Sequence, residues 1–295
     1  MDIERFNLES KCDGLRLFVA MYIPKGKIKG IVQFAHGMVE HQVYYYDFME
    51  YLCNNGYLCV INDHRGHGNS TRKMDDLGYF YEENGDYIVE DLHQITEYVK
   101  DRYKDLDVYL FGHSMGSLVV RKYIKKYDKD IKKLIVCGSP SMNKITGFGL
   151  FLCKTIKLFR GDKYRSRFIN SLVLTNDSPE TWLTKNMEYA EKYKKDKYCN
   201  YVFTINGFIN LIHLVRDVYS KKGWSLNNKD LDIYFIAGRD DMVIKNEKLF
   251  MKSMNFLKDI GYNNISYKLY DDCFHCIFMD KPDEVYKDVL DFIEK

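Results

Sequence analysis

Short apolar runs alternate with amphipathic stretches along most of the chain. Five stretches with apolar residues three and four positions apart predict helices, at residues 44–55, 85–104, 115–127, 245–260 and 283–294. Seven runs rich in Val, Ile, Leu and Tyr predict β-strands: RLFVAMYI, GIVQFAH, YLCVIND, DVYLFGH, KKLIVCGS, DIYFIAG and ISYKLYD. Strand–helix alternation of this kind predicts an α/β fold, in which a mostly parallel sheet is covered by helices on both faces and ligands bind at the carboxyl ends of the strands.

One connection is too long for this alternation. Between about Ser141 and Asp230 the pattern gives no convincing strand, whereas loops in α/β units usually have about 2–6 residues. We therefore predict a helical insertion at residues 141–230, and an α/β core formed by residues 1–140 and 231–295.

Composition is that of an ordinary globular protein, because 46% of the 295 residues are apolar and 29% are charged. This excludes a disordered chain and a fibrous repeat. The charged start MDIERFNLESKCDGLRLF lacks the apolar core of a signal peptide, and no run of about 18 apolar residues occurs, so we expect a cytoplasmic protein. The eight cysteines are scattered as free thiols would be, and do not suggest the disulfide framework of a short secreted domain.

A strand-to-helix turn holds the strongest motif. Gly112-His113-Ser114-Met115-Gly116 fits G-x-S-x-G, in which a strained turn raises a nucleophilic serine above the sheet. The alternative is a glycine-rich turn with a capping serine. A serine nucleophile needs a base, and the base needs a group that fixes its tautomer.

Only two histidines follow Ser114 in the chain. His213 lies in a helical pattern inside the insertion, whereas His275 follows the last predicted strand, at the sheet edge where a base is needed. The acid should follow the preceding strand, where Asp240 and Asp241 are both available; spacing alone does not choose between them.

His275 also lies between Cys273 and Cys276, which raises zinc and redox alternatives. A zinc site usually needs a second cluster of ligands at suitable spacing, and a redox C-x-x-C usually opens a helix. Neither condition is met in the sequence, so His275 is favoured as a general base. Cys276 would be reactive only if exposed.

Hydrolysis of an acyl bond also needs N–H donors for the oxyanion. The backbone N–H of Met115 is one candidate, because it directly follows the nucleophile. The loop after GIVQFAH supplies a second candidate, the backbone N–H of Met38. For His36 and His41 in the same region we expect hydrogen bonding within loops.

Several stretches together resemble a known family. HGMVEH, GYLCVINDHRGHGNS, GHSMGS, WLTKNMEYAEKYKKDKYC, IAGRDDMV and YDDCFHCIFMD, in this order, resemble the monoacylglycerol lipase and lysophospholipase branch of the α/β-hydrolases, which is grouped with the serine aminopeptidase-type, S33-like hydrolases. The resemblance covers about residues 10–294. It implies an α/β-hydrolase fold with a helical cap, or lid, inserted after the sixth strand. It also implies a triad of Ser114, Asp241 and His275, with Met38 and Met115 as oxyanion donors.

Some positions depart from the family pattern. Val39 stands where a small residue is common, and Met242 replaces the proline that usually follows the acid. Phe274 and Cys276 flank His275 where an arginine and a glutamate are usual. We therefore expect a more apolar environment around His275 and an altered substrate preference.

The predicted cap is basic and partly apolar. Residues 141–230 contain 16 Lys and Arg against 8 Asp and Glu, whereas the rest of the chain is net negative. The stretch GFGLFLCKTIKLFR would either contact an anionic bilayer transiently or line an acyl-chain tunnel, or else pack on the core with solvated lysines. For the substrate pocket we predict His113, Phe148, Phe151 and Leu152.

The predicted activity is cleavage of monoacylglycerol to glycerol and fatty acid, without metal or organic cofactor. Alternatives are a lysophospholipase, a short-chain carboxylesterase, an amide or peptide hydrolase, and an inactive binding module on the same fold. Nucleic-acid binding is excluded as a hypothesis, because the net charge is only +2 and no nucleic-acid-binding pattern occurs. The sequence gives no indication of oligomeric state, and peripheral contact with the inner membrane surface would be compatible with the basic cap.

Overall fold

The computed structural model describes residues 1–142, 146–173 and 178–295. Eight strands form one sheet in the order β1-β2-β4-β3-β5-β6-β7-β8. β2 pairs antiparallel with β1 and β4, and the remaining neighbours are parallel. The strands are β1 (Asp2–Glu9), β2 (Arg16–Ile23), β3 (Gly30–Ala35), β4 (Tyr57–Asn62), β5 (Val108–His113), β6 (Lys133–Cys137), β7 (Asp232–Gly238) and β8 (Ile265–Tyr270).

Helices cover both faces of the sheet. Every residue of the central strands β3, β4, β5 and β6 is buried, as expected for parallel strands covered on both sides. The α-helices are α1 (Tyr46–Asn54), α2 (Tyr87–Arg102), α3 (Met115–Tyr127), α4 (Thr146–Arg160), α5 (Arg167–Val173), α6 (Met187–Lys195), α7 (Ile205–Val218), α8 (Glu247–Ile260), α9 (Ile277–Asp280) and α10 (Pro282–Glu294).

All seven predicted strands and all five predicted helices are present, within about three residues at each end. The outermost strand, β1, is not predicted by the sequence pattern. Its residues alternate between half-buried and exposed positions, and the half-buried face carries only two apolar side chains, Phe6 and Leu8. An edge strand with so little buried apolar surface gives a weak periodic signal.

The connecting segment, residues 138–231 between β6 and β7, contains α4 to α7, and its described residues form no strand. α7 is its most buried helix, and Lys122 of α3 reaches Asp217 of α7 at 2.7 Å. Among the helices in the described ranges, none is both long enough and apolar enough to cross a membrane.

The parallel strands end at one edge of the sheet and so bring distant parts of the chain together. Gly37 follows β3, Ser114 follows β5 and Gly138 follows β6. Asp241 and His275 follow β7 and β8 in the same way. Because these strands are parallel, the five residues lie along one rim of the sheet.

Candidate active site

Ser114 lies in a strained turn between β5 and α3. Its backbone angles are φ 52° and ψ −118°, a left-handed conformation that costs a non-glycine residue about 1–3 kcal/mol. The two glycines of the motif make the turn possible. A Cβ on Gly112 would lie 2.5 Å from the carbonyl oxygen of Gly116, and a Cβ on Gly116 would lie 2.0 Å from that of Ala35. The turn thus fits the geometry that G-x-S-x-G requires.

His275 and Asp241 form a buried pair. Nδ1 of His275 is 2.9 Å from Oδ2 of Asp241, and the other carboxylate oxygen accepts a hydrogen bond from the Val243 N–H at 2.7 Å. Asp240, the alternative acid, is half exposed and lies 3.5 Å from the ammonium of Lys185. The structure therefore brings Asp241 to the imidazole and leaves Asp240 at the surface.

Two elements hold the main chain of His275. Its N–H donates to the carbonyl oxygen of Trp182 at 3.2 Å, so the connecting segment contacts the histidine loop directly. On the other side, Nε2 of His113 is 3.2 Å from the carbonyl oxygen of His275. Gly138, with φ +55°, leaves room for the imidazole, since a Cβ there would lie 3.0 Å from Cε1 of His275.

Ser114 and His275 line the same cavity, together with Met38 and Met115. In the described part of the chain, Ser114 Oγ has no hydrogen-bond partner, and no group accepts the backbone N–H of Met38. Gly37 lets this loop approach the serine, because a Cβ on Gly37 would lie 3.2 Å from that of Ser114. The cavity is thus lined by the serine hydroxyl, the imidazole and the backbone N–H groups, and a substrate carbonyl in it could reach all three.

The cavity has a volume of about 320 Å³ and is mostly apolar. The connecting segment contributes part of the wall, through Leu172, Val173, Trp182, Leu183, Tyr193, Leu211, Ile212 and Val215. His113 lines the cavity as predicted. Lys245 adds a cation at an exposed position of the lining.

The predicted pocket residues on α4 require a correction. Phe148, Phe151 and Leu152 are not among the described residues that line the cavity, and Phe148 and Phe151 are each 67% exposed. The helix is oriented so that Leu150 and Cys153 face inwards. Periodicity identified an apolar helix but not which of its two apolar faces is buried.

A lysine lies beside Phe274, the apolar residue that precedes His275. The Lys185 ammonium lies 4.8 Å from the ring centre of Phe274, and it also pairs with Asp272. Cys273 and Cys276 are both buried, and burial raises the pKa of each thiol, that of Cys273 to about 11. Burial of this kind opposes thiolate formation and hence thiol reactivity.

Three other histidines, His36, His41 and His213, are not among the described residues that line this cavity. His213 is half-buried on α7, where burial lowers its pKa. His36 accepts a hydrogen bond from the His64 N–H at 2.8 Å, and His41 lies 2.8 Å from Oδ2 of Asp196. Both bonds link loops, which is the role expected for these two side chains.

Two groups of described side chains place three potential metal-binding atoms within 4.8 Å of one another: Glu40, His113 and Cys276, and His41, Asp196 and Cys199. The carboxylate in each group already accepts hydrogen bonds, from Tyr45 in the first and Tyr44 in the second. Burial raises the pKa of both thiols, which opposes the thiolate form that zinc binds. Hydrogen bonding therefore accounts for both groups.

Sequence reasoning missed two features of the site. Trp182 binds the His275 main chain from the connecting segment, and no local pattern predicts this contact across 93 residues. Glu40 lies buried beside Gly37 and His113, and from sequence it stands out only as part of the stretch HGMVEH. This stretch could have indicated the role of Glu40, because a carboxylate must be paired when it is buried.

A sequence profile described as serine aminopeptidase, S33, matches residues 26–282, which is most of the chain. The chain belongs to the serine aminopeptidase S33 family. This family assignment agrees with the α/β-hydrolase resemblance found in the sequence and with the mostly parallel sheet.

Individual relatives match this family member over shorter stretches. A monoacylglycerol lipase of Mycolicibacterium smegmatis is 28% identical over 148 residues, which is 49% of this chain and 50% of the relative. The human monoglyceride lipase is 31% identical over 107 residues, or 36% and 34% of the two chains. The chain thus matches half or less of the length of these curated relatives.

Solved structures match over the whole length. A thermostable carboxyl esterase from Bacillus coagulans, crystallised with glycerol, superposes with a TM-score of 0.87 at 22% identity, covering 100% of this chain and 98% of the other. At this identity the likeness establishes the fold, which is that of the α/β-hydrolases.

Proposed function

We propose that this protein is a serine ester hydrolase that cleaves single-chain lipid esters, with monoacylglycerol as the main substrate and glycerol and fatty acid as products. The observation that supports this most directly is the shared cavity of Ser114 and the His275–Asp241 pair, whose walls are mostly apolar. An acyl chain would be buried there at a gain of about 0.8 kcal/mol per CH₂ group. The likeness to monoacylglycerol lipases points to the same substrate class.

In the proposed reaction, Nε2 of His275 takes the proton of Ser114 as Oγ attacks the ester carbonyl. Asp241 accepts a hydrogen bond from Nδ1–H and stabilises the imidazolium. The N–H groups of Met38 and Met115 bind the oxyanion of the tetrahedral intermediate. Collapse of that intermediate breaks the ester bond, and His275 gives its proton to the departing glycerol oxygen. Water, activated by the same imidazole, then releases the fatty acid from Ser114.

We further propose that residues 141–230 act as a cap over this cavity. The described residues of this stretch supply much of the apolar wall, and Trp182 contacts the loop of His275. A wall made by a segment outside the sheet would set the length of acyl chain that fits.

Lysophospholipid is a second candidate substrate because Lys245 lines the cavity. An ammonium group at this exposed position could pair with the phosphate of a lysophospholipid head group. Lys245→Met should then lower the turnover of lysophospholipid and leave that of monoacylglycerol unchanged.

The test is product release from monoacylglycerols of graded chain length, alongside lysophospholipids, short nitrophenyl esters and aminoacyl amides. Fast release of fatty acid from medium or long monoacylglycerols is expected, with a loss of about 10⁴-fold or more in Ser114→Ala. Turnover confined to short esters would contradict the lipid assignment. Turnover confined to amides would favour a peptidase, and absence of labelling by a fluorophosphonate would favour a binding module.

We also propose transient contact with anionic membranes through α4. This helix exposes apolar side chains to an unusual degree, with Leu158 at 80% and Phe159 at 78% exposure, next to Lys154 and Arg160. Apolar side chains beside cations are typical of helices that lie in the surface of an anionic bilayer.

Co-sedimentation with vesicles containing anionic lipid measures this contact. We expect binding at low salt that weakens as salt screens the charges, and a clear loss of binding in Leu158→Ser/Phe159→Ser. Met74→Ser is the matched control, since Met74 is an exposed apolar residue outside the connecting segment. An equal loss in the control, or no binding by the wild type, would contradict the proposal.

A further inference from the structure

Glu40 is a buried carboxylate that the proposed proton transfers do not use. It is 2% exposed and lies on the loop after β3, with its carboxylate next to His113 of the nucleophile turn. Its Oε1 accepts hydrogen bonds from the Gly37 N–H at 2.5 Å and from the Tyr45 hydroxyl at 2.6 Å. Burial acts to raise the pKa of Glu40, but hydrogen bonds from His113, Tyr45 and Gly37 outweigh it and lower the pKa, so the group stays ionised.

The first link from Glu40 leads to the oxyanion loop. Gly37 precedes Met38, whose N–H is a proposed oxyanion donor, and a Cβ on Gly37 would touch both Glu40 and Ser114. The bond from Gly37 N–H to Glu40 thus fixes the peptide immediately before the donor. Loss of this bond would leave the donor free to tilt relative to Ser114.

The second link leads to His275 through His113. Nδ1 of His113 lies 3.1 Å from the Tyr45 hydroxyl and 3.4 Å from Oε1 of Glu40. Nε2 of the same ring lies 3.2 Å from the carbonyl oxygen of His275. His113 is also the neighbour of Ser114 in the chain. One carboxylate therefore contacts groups that hold the oxyanion loop, the nucleophile turn and the histidine loop.

We propose that Glu40 is a positioning residue, which through Gly37 and His113 holds the oxyanion donor and the His275 main chain in register with Ser114. This inference rests on the proposed esterase function. Its role is distinct from that of Asp241, which binds the imidazole ring itself. Misplacement of reacting groups by about 1 Å can cost about 100-fold in rate, so a positioning residue of this kind should affect kcat strongly.

A competing explanation is that Glu40 binds the substrate, because it also lines the cavity. A group that binds substrate in its ground state affects KM, whereas a group that aligns the reacting atoms affects kcat. A purely structural role would lower the melting temperature and leave kcat and KM of the folded enzyme unchanged. The three roles therefore give different results in one set of measurements.

The experiment compares Glu40→Gln and Tyr45→Phe with the wild type in kcat, KM, melting temperature and the rate of Ser114 labelling by a fluorophosphonate. Asp128→Asn and Tyr262→Phe form the matched control. Asp128 is also a buried carboxylate that accepts a tyrosine hydroxyl, at 3.2 Å, and a backbone N–H, at 3.0 Å, but it lies at the far end of α3. This control pair reports the effect of removing a buried carboxylate contact away from the site.

For Glu40→Gln we expect kcat and the labelling rate to fall by about 10- to 100-fold with KM changed less than threefold. Tyr45→Phe should give a smaller loss of the same kind, and the double variant should lose less than the product of the two, because both act through one carboxylate. The control variants should keep the wild-type kcat even where their melting temperature falls.

Retention of kcat within twofold in Glu40→Gln, or a rise in KM alone, would overturn the proposal. If Glu40→Gln does not fold, Tyr45→Phe decides on the same criteria. The labelling rate separates this inference from the proposed function, because it depends on Ser114, the base and the oxyanion donors but on no particular ester. A wild type that is labelled but does not cleave lipid esters fails the substrate proposal only, whereas a wild type that is not labelled fails the esterase proposal itself.

Discussion

At the residue scale, two adjacent aspartates have opposite environments. Asp241 is 2% exposed and bonded to His275, whereas the Asp240 side chain is half exposed and faces Lys185. We expect Asp241→Asn to lower kcat by about 10⁴-fold, because the amide no longer favours the imidazole tautomer that accepts the serine proton. Asp240→Asn should stay within about twofold, since exposed ion pairs contribute little. Steady-state kinetics on any turned-over ester measures both; a larger loss for Asp240→Asn would reverse the assignment.

Two glycines with the same substitution should also give opposite results. Gly116→Ala would place a Cβ 2.0 Å from a backbone oxygen, so β3 and α3 must move apart, and we expect a loss of several kcal/mol in the free energy of unfolding. Gly147→Ala in α4 meets no atom of the described residues within 4 Å and should gain about 0.5–1 kcal/mol from helix propensity. Urea unfolding measures both changes. Equal stability of the two variants would mean that β3 and α3 can move apart at the nucleophile turn without loss of stability.

The sequence predicts residues well where a motif specifies its own backbone. The elbow around Ser114 is such a case, because its two glycines and its strand-to-helix setting are local features. The choice of Asp241 over Asp240 needed a family resemblance, since both follow the same strand. Phe148 and Phe151 were misassigned to the pocket because a helix with apolar residues on more than one face does not reveal which face is buried.

At the element scale, Asp280 joins the connecting segment to the histidine loop. One of its oxygens accepts from the Thr184 hydroxyl at 2.6 Å and the Lys185 N–H at 2.7 Å, and the other accepts from the Phe274 N–H at 2.7 Å. Thr184 and Lys185 closely follow Trp182, whose carbonyl oxygen accepts from the His275 N–H, and Phe274 directly precedes His275. Elements 90 residues apart are therefore tied together at the edge of the cavity.

Asp280→Asn should loosen this junction. An amide offers one acceptor oxygen where three donors converge, so we expect a loss of about 1–3 kcal/mol in the free energy of unfolding. Amide hydrogen exchange should speed up at residues 182–186 and 273–276 together. Asp283→Asn, at an exposed position in the first turn of α10, is the control and should change neither segment. Faster exchange in only one of the two segments would argue against their coupling.

At the scale of the whole molecule, the order of strands and helices follows from hydrophobic periodicity. The contacts between distant segments that enclose the site do not. Strand β1 escaped prediction because an edge strand buries little apolar surface. The contacts of Trp182 with His275 and of Thr184 with Asp280 join positions more than 90 residues apart, and no periodic signal reports such contacts. The sheet topology brings these positions to one rim, which only the three-dimensional arrangement reveals.

Three histidines buried beneath the site should make the stability of the molecule depend on pH. The rings of His36 and His64 are 4.2 Å apart and those of His36 and His67 are 5.2 Å apart, all without exposure to solvent. Burial lowers the pKa of His64 to about 3 and that of His67 to about 4, and burial with repulsion from both neighbours lowers the pKa of His36 well below its usual value. All three are neutral in the folded protein near neutral pH.

The sign of the pH effect follows from proton binding. Below the pKa of about 6.5 that a histidine has in an unfolded chain, the unfolded state binds protons that the folded state does not. Stability from these histidines is therefore complete above pH 6.5 and is lost as the pH falls towards 4, by up to about 1.4 kcal/mol per pH unit for each ring.

Urea unfolding at pH 7.5, 6.5, 5.5 and 5.0 should show this decline before most carboxylates titrate. His64→Leu removes a ring whose two nitrogens lack hydrogen-bond partners among the described residues. We therefore expect the slope of the free energy of unfolding against pH to fall by about the contribution of one ring. His93→Leu is the control, because His93 is partly exposed and paired with Asp130. An unchanged slope in His64→Leu would mean that this cluster stays neutral in the unfolded state or admits protons in the folded one.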